Sequence, residues 1–389
     1  MADNLKGLFR INPDVTFLNH GSYGACPRTV FQAYQDWQAR LEHQPVAFLN
    51  QRHLAARFAE VRAALGAELG AHPDDLVPMV NATAGLNVVA RSLSLRPGDE
   101  ILTTDHEYAA LEKTWAFVTA STGAVVRRVT VPLPLTSEAD FTDAVLAGFT
   151  DRTKVLFLSH ITSPTALFFP VGRVVAQARA RGVWSVIDGA HAPGQVPLDL
   201  AALGADFYAG NCHKWMMAPK GTAFLYARPE VQPLLTPSII SHGWTADGAA
   251  PGPFGGTPFQ DRFQFQATRD PAGFLAIPAA IAFRQEQGWD KIIAGCHALA
   301  QEASARVASL TGRPPIASSA FCAPQMVAMP VPDCDPFQTH DRLLAEFGIE
   351  IPVIRWQGRS FIRVSVQGYN TAAEMDRLCD AISHLFALA

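Results

Sequence analysis

The fold is decided by residues 183–214, which read VWSVIDGAHAPGQVPLDLAALGADFYAGNCHK. Two apolar runs, at residues 183–187 and 206–209, have the length and composition of strands, and polar residues follow each run at once. Continuous apolar character is typical of strands that are buried on both faces of a parallel sheet. The stretch therefore predicts an α/β fold.

The same alternation of strand-like and helix-like segments extends over about residues 76–226. It predicts a mostly parallel, seven-stranded sheet flanked by helices. The predicted strands are 77–80, 100–104, 125–131, 155–159, 183–187, 206–209 and 222–227. Helices are expected at 27–44 and 54–69, ahead of most of the sheet.

Helical patterns beyond Pro278 and short strands near 325–329, 349–354 and 361–366, with a closing helix at 371–388, predict a smaller α+β domain. We divide the chain into an N-terminal segment that joins the small domain (1–20), a large domain (21–275) and a small C-terminal domain (276–389). The Gly- and Pro-rich segment 241–274 is too long for a bare connector and is expected to be functional or to cover a site.

Composition excludes several classes of function. The chain has 31 Lys and Arg against 35 Asp and Glu, a net charge of −4, and we find no block of like charge that would suit nucleic acid. No apolar run approaches the ~20 residues of a membrane span. Six scattered cysteines without a metal-binding spacing predict no metal site and indicate the cytoplasm. Small molecules are the expected partners.

Reactive residues follow the predicted strands. In open parallel sheets, ligands bind outside the carboxyl ends of the strands, so these residues are expected to converge. Asp188 and Lys214 each end a strand. A lysine in a desolvated pocket is nucleophilic near neutral pH, and a carboxylate can hold a pyridine nitrogen in its protonated form. The pair predicts pyridoxal 5'-phosphate (PLP), held as a Schiff base on Lys214, with Asp188 at its ring nitrogen.

The other strand ends supply candidate groups for the rest of that cofactor. Small residues that open a helix form an anion site for the phosphate at the positive end of the helix. A ring that follows the next strand is expected to stack on the pyridine, and two alternatives for it remain open. The candidates are Ala82, Thr83 and Ala84 for the phosphate, His106 or Tyr108 for the stack, Ser163 and His191 for the ring hydroxyl, and Asn211 and His213 for the phosphate beside Lys214.

The order of these motifs resembles the class V aminotransferase family of PLP enzymes, in its isopenicillin N epimerase-like branch. The resemblance spans about residues 15–385 and depends on the segments 17–24, 105–108, 163–165, 188–191, 213–214 and 268–270. It implies the type I fold of PLP-dependent transferases. It also implies a homodimer in which Thr268 reaches the phosphate of the neighbouring subunit.

The resemblance further implies that Arg363 binds the α-carboxylate of an amino-acid substrate, with Asn19, His20 and Gly21 in a loop on the substrate side. Residues 348–358 contain no cysteine where desulfurases of this family have their sulfur acceptor, which speaks against desulfurase activity.

The resemblance favours an epimerase, a racemase or a C–S lyase over an aminotransferase. Each of these enzymes would act at the substrate α-carbon with Lys214 as the base. The predicted catalytic residues are Lys214, Asp188 and His106. A protein of this fold without catalysis, serving in binding or regulation, is the alternative from another class. No G-x-G-x-x-G follows a predicted strand, so a dinucleotide-dependent oxidoreductase is not supported.

Overall fold

The structure, a computed structural model, describes residues 5–246 and 251–388. Its twelve described strands are β1 Thr16–Phe17, β2 Leu76–Met79, β3 Glu100–Thr104, β4 Val125–Val129, β5 Thr153–Ser159, β6 Trp184–Gly189, β7 Phe207–Asn211, β8 Ala223–Ala227, β9 Met326–Val331, β10 Ile349–Glu350, β11 Val353–Trp356 and β12 Arg359–Ser365.

The described α-helices are α1 His20–Tyr23, α2 Arg28–His43, α3 Pro45–Leu49, α4 Gln51–Leu69, α5 Ala82–Ser92, α6 Ala109–Thr122, α7 Glu138–Leu146, α8 Gly172–Ala180, α9 Leu200–Leu203, α10 Pro258–Gln264, α11 Ala272–Leu275, α12 Ile277–Glu286, α13 Trp289–Thr311, α14 Pro336–Phe347 and α15 Ala372–Leu385. None of them, within the described ranges, has the length and hydropathy of a membrane span.

Seven strands form the central sheet, in the order β2-β8-β7-β6-β5-β3-β4. Neighbours from β7 to β4 are parallel, and only β8 runs antiparallel to its two neighbours, β2 and β7. The α/β class and the mostly parallel seven-stranded sheet are confirmed. Six of the strands therefore end at one edge of the sheet, which is where the reactive residues were expected to meet.

The sheet separates two apolar cores, as the strand period of two requires. Along β5, Val155 and Phe157 face one core, which also contains residues of α5, α6 and α10. Leu156 and Leu158 face the other, which contains residues of α4, α7 and α8. Burial of both faces accounts for the continuous apolar sequence of this strand.

The C-terminal part of the chain has its own sheet and its own core. Strands β11, β12 and β9 are antiparallel neighbours, and α13 and α15 supply most of the helical residues of the core. The N-terminal strand β1 pairs in parallel with β10, so that Thr16 lies opposite Ile349. This pairing joins residues near the N-terminus to the C-terminal part. The predicted strand 349–354 is divided into β10 and β11, with Pro352, which cannot donate a backbone hydrogen bond, between them.

In its described residues, 241–246 and 251–274, the Gly- and Pro-rich segment does not cover the strand ends. Its described part contains α10 and α11, and Phe259 and Phe263 of α10 pack into the core beside β2. Gln264 also accepts a hydrogen bond from the buried Arg62 of α4. The described residues of this segment thus pack on the outside of the large domain.

Candidate active site

A cavity of about 600 Å³ opens at the carboxyl ends of the strands. Residues 21–23 near the N-terminus and residues of the C-terminal part close its sides. Its lining residues are Gly21, Ser22, Tyr23, Val80, Asn81, Thr83, Tyr108, Ser159, Ile161, Ser163, Asp188, Ala190, His191, Asn211, His213, Lys214, Lys220, Gly221, Pro352, Ile354 and Arg363.

Lys214 lies in this cavity, and its contacts favour the neutral amine. The indole Nε1 of Trp215, which can only donate, lies 3.3 Å from Nδ1 of His191, so Nδ1 is the acceptor. A neutral imidazole then has its proton on Nε2, and this atom lies 3.1 Å from Nζ of Lys214. The His191 N–H therefore donates to the amine lone pair, which an ammonium group does not have.

Burial and charge agree with that assignment. Burial lowers the pKa of Lys214 to about 7, and the nearby positive charge of Arg363 acts in the same direction, against a smaller opposing effect of Asp188. Burial and the charge of Lys214 hold the pKa of His191 well below its usual value. The sequence predicted His191 near a ring hydroxyl; the structure shows it in contact with the lysine.

Asp188 lies at the end of β6 and lines the cavity. Its Oδ1 accepts a hydrogen bond from the Ala190 N–H at 2.9 Å, which orients the carboxylate. Burial raises the pKa of Asp188 to about 6, while the Ala190 N–H and the charge of Lys214 lower it. A buried carboxylate of this kind gains from a cationic N–H placed against it.

The expected phosphate site lies at the start of α5. Asn81 caps this helix and accepts from the Ala84 N–H at 2.7 Å, and Asn211 accepts from the Ala82 N–H at 2.8 Å. These two amides are therefore occupied, and neither Ala82 nor Ala84 lines the cavity. Thr83, the residue between them, does line it, together with Asn81, Asn211 and His213. Of the three residues predicted for the phosphate site, Thr83 therefore remains a candidate, together with the side chains that line the cavity beside it.

Of the two candidates for the stacking ring, the structure places Tyr108 in the cavity and His106 outside it. The His106 side chain is fully buried, with Nδ1 2.8 Å from the Thr165 hydroxyl and its ring 4.4 Å from that of Trp356. Burial lowers its pKa to about 4. His106 therefore packs between the two parts of the chain, because Trp356 covers the face that a cofactor would need.

Arg363 reaches the cavity from β12 of the C-terminal part. Its Nη1 donates to the Ser163 carbonyl oxygen and, at 3.2 Å, to the Ser163 hydroxyl, and Nη2 donates to the Ser22 hydroxyl at 3.4 Å. Burial lowers its pKa to about 10. No carboxylate of the described residues forms an ion pair with it. A buried guanidinium with neutral partners is suited to a carboxylate ligand.

Only part of the predicted substrate loop, residues 19–21, lines the cavity. Gly21 lines the cavity, but Asn19 donates to Glu350 at 2.9 Å and does not line it. His20 lies behind the lysine, where Nε2 contacts the Lys214 carbonyl oxygen at 3.0 Å and Nδ1 contacts the Tyr369 hydroxyl at 2.8 Å. Gly24 has a φ of 71°, and a Cβ there would lie 1.9 Å from the His213 carbonyl oxygen. Close backbone packing therefore holds this loop against the lysine segment.

Thr268 is not brought to the cavity of its own chain. It lies in a separate depression with Gln264, Ala267 and Arg269.

The sequence prediction missed several lining residues. Lys220, Pro352 and Ile354 line the cavity, and Glu107 lies buried beneath it with its carboxylate accepting from the Ser159 N–H and hydroxyl. Lys220 follows Lys214 by six positions in the same loop and carried no strand-end signal. For Glu107, a signal existed, since it lies three residues after the end of β3 and next to His106.

The residues fit PLP. The Lys214 amine would meet the carbonyl carbon of such a cofactor, the buried Asp188 carboxylate its ring nitrogen, and Thr83 at the start of α5 its phosphate. These three groups therefore match the carbonyl, ring-nitrogen and phosphate ends of PLP, which are the groups that a binding site must recognise.

Comparisons with known proteins point to the same fold and the same cofactor. A family model described as aminotransferase class-V matches residues 22–378. The isopenicillin N epimerase of Amycolatopsis lactamdurans is 36% identical, over 98% of each chain. A probable chloroplastic L-cysteine desulfhydrase of Arabidopsis thaliana is 29% identical, over 96% of this chain and 83% of its own.

Among solved structures, the cysteine desulfurase CsdA of Escherichia coli has the same fold, with a TM-score of 0.81 and 22% identity over 100% of this chain and 99% of its own. The predicted family, fold and cofactor are confirmed. With a cavity built around Lys214 and Asp188, this chain belongs to the class V aminotransferase family and is a PLP-dependent enzyme.

Proposed function

We propose that the enzyme inverts the configuration at the α-carbon of an amino-acid substrate. The observation that carries this proposal is that Lys214, whose contact with His191 favours the neutral amine, lines one cavity with the Asp188 carboxylate and with Arg363, which has no carboxylate partner among the described residues. Bound PLP supplies an electron sink that acidifies the α-C–H of an amine joined to it. The residues around it must then bind the substrate carboxylate, hold the proton and keep the ring nitrogen protonated.

Each of these tasks has a candidate residue. Arg363 binds the α-carboxylate through its two donors, with Ser163 and Ser22 fixing the guanidinium. Lys214 takes the α-proton, since an amine with a pKa of about 7 is half in its basic form at neutral pH, and inversion is completed when a proton from water reaches the opposite face of the same carbon. Asp188 holds the proton of the ring nitrogen, and Tyr108 covers the ring face.

Epimerisation is the first candidate because the alignment with the epimerase relative covers almost all of both chains. No cysteine of the described residues lines the cavity, so the thiol acceptor of a desulfurase has no counterpart there. C–S lyase chemistry is the second candidate, because a desulfhydrase relative also aligns with 96% of this chain.

We also propose that the active unit is a homodimer in which Thr268 serves the phosphate of the partner subunit. Its position in a depression apart from the cavity supports this role, as does the exposed tyrosine pair Tyr23 and Tyr108 at the cavity mouth. Mixing Lys214→Ala with Thr268→Ala subunits tests it. Restored activity in the mixture is expected, and two variants that remain inactive together would contradict it.

The reaction is tested by incubating the PLP-loaded enzyme with isopenicillin N and with a panel of L- and D-amino acids in D₂O. Deuterium at the α-carbon together with the inverted enantiomer supports epimerisation. Release of pyruvate and ammonia, with sulfide from cysteine or cysteine persulfide from cystine, and without inversion, would replace it with the lyase. Lys214→Ala is the control for exchange that does not depend on the enzyme.

A further inference from the structure

A second buried carboxylate lies beneath the cavity and is not used by the mechanism above. Glu107 follows β3, and only 5% of it is exposed. Its Oε2 accepts from the Ser159 N–H at 2.9 Å and from the Ser159 hydroxyl at 2.6 Å, while Oε1 accepts from the Thr104 hydroxyl at 2.7 Å. The Thr104 oxygen in turn accepts from the His106 N–H at 3.2 Å. The hydroxyl proton of Thr104 is therefore directed at Glu107.

The contacts of Glu107 are donors suited to a carboxylate, and none of them is a cation. No Lys, Arg or His within the described ranges lies at ion-pair distance from it. The charged group that acts on Glu107 is Asp188, which is the register partner of Ser159 on the adjacent strand β6. His106 is next in the chain, but its ring is turned to Thr165 and Asp105.

Two buried carboxylates without a cation between them disfavour each other's ionisation. Burial raises the pKa of Glu107 to about 7, the charge of Asp188 acts in the same direction, and the Ser159 and Thr104 hydrogen bonds lower it. A protonated ring nitrogen against Asp188 would supply the missing positive charge. By reciprocity, each carboxylate then increases the affinity of that nitrogen for its proton.

We infer that Glu107 is a positioning residue, a second carboxylate that acts through Ser159 and Asp188 to strengthen the hold on the proton of the PLP ring nitrogen. This inference depends on the proposed placement of PLP over Asp188. A purely structural alternative is that Glu107 only caps the end of β5 by accepting from the Ser159 N–H.

The variants Glu107→Gln and Glu107→Ala separate charge from capping. Glutamine retains an oxygen for the Ser159 N–H, and its amide can donate to the Thr104 hydroxyl, so it keeps the cap but removes the charge. Alanine removes both. The control is Glu100→Gln, which removes another buried carboxylate, at the first residue of β3, where Glu100 pairs with Arg152 at 2.8 Å.

The measurement is the ¹⁵N chemical shift of the ring nitrogen across pH, in holoenzyme loaded with ¹⁵N-labelled PLP. We expect Glu107→Gln and Glu107→Ala to lose the ring proton at a pH about one unit lower than wild type does. This shift is about a tenfold decrease in the proton affinity of the ring nitrogen. Glu100→Gln should behave like wild type. In an Asp188→Asn background, the Glu107 substitutions should have no further effect, because the path through Asp188 is absent.

A ring-nitrogen profile for Glu107→Gln that matches wild type would overturn the inference and leave the capping role, with PLP still linked to Lys214. An effect of Glu107→Gln that persists undiminished in Asp188→Asn would overturn the path through Asp188. Wild-type enzyme that binds no PLP would instead contradict the proposed function itself, and the inference with it.

Discussion

The Nε2 atom of His191 lies 3.1 Å from Nζ of Lys214, with Trp215 occupying the other nitrogen of the same imidazole. The histidine is therefore held in one tautomer, and it donates to the lysine. This contact stabilises the neutral amine, the form that attacks a carbonyl carbon.

His191→Phe should slow the covalent binding of PLP to the apoenzyme at pH 7 by about tenfold, because a lost hydrogen bond of this kind costs about 1.4 kcal/mol and favours the ammonium form. His191→Gln keeps an N–H donor and should remain close to wild type. Stopped-flow absorbance across pH measures both rates. A phenylalanine variant with the wild-type rate and pH profile would show that the contact has no such role.

Asp188→Asn should stabilise the apoenzyme at pH 8 by on the order of 2 kcal/mol while abolishing most activity. Its folded pKa of about 6 lies above the ordinary 3.8. Between these values, the folded state keeps a proton that the unfolded state has lost, so this group's contribution to stability falls as pH rises and stays low above pH 6. Asparagine does not titrate, and it keeps the oxygen that accepts from Ala190.

Thermal unfolding of wild-type and Asp188→Asn apoenzyme at pH 4 and pH 8 checks that sign. The gain should be large at pH 8 and small at pH 4. A variant that is less stable than wild type at pH 8 would contradict the assignment of Asp188 as a destabilised buried carboxylate.

Arg363→Met should raise the KM for an amino-acid substrate by about 100-fold, since charge-assisted hydrogen bonds to the carboxylate are lost. Its melting temperature should be unchanged or higher, because no described carboxylate loses an ion-pair partner. The matched control is Arg284→Met, another buried arginine, which lies 3.7 Å from Glu68 and away from the cavity. That control should lose stability and keep its KM; the reverse pattern would remove Arg363 from the substrate site.

Tyr108→Ala should weaken PLP binding by about tenfold, in line with the loss of an aromatic stack, whereas Tyr108→Phe should not. His106→Gln should leave PLP dissociation unchanged and lower the melting temperature, because the Trp356 contact is lost. Dissociation rates from absorbance distinguish the two rings. Faster dissociation from His106→Gln than from Tyr108→Ala would return the stacking role to His106.

The residues at strand ends could be predicted from the sequence because parallel strands bring their carboxyl ends to one edge. Asp188, Lys214, Thr83 and Ser163 all follow strands, and all line the cavity. The direction of a side chain within a loop is a different matter. His106 and Tyr108 are two positions apart, and contacts with residues distant in sequence, Thr165 and Trp356, hold His106 away from the cavity.

Contacts between segments that are distant in the sequence could not be predicted from local patterns either. Pro352 and Ile354 line the cavity because the C-terminal part docks on the sheet edge, and the role of Gly24 depends on the His213 backbone. Glu107 was overlooked for another reason. A glutamate between two more conspicuous residues has no motif of its own, and its burial appears only once Ser159 and Thr104 are placed around it.

The central claim, that Lys214 binds the cofactor covalently, is tested most directly by borohydride reduction of the PLP-loaded enzyme followed by peptide mass spectrometry. One reduced pyridoxyl group per chain is expected on the peptide at Lys214, and none on Lys214→Ala. Lys220 lines the same cavity and is the internal competitor. A label on Lys220, or no label on wild-type enzyme, would contradict the account.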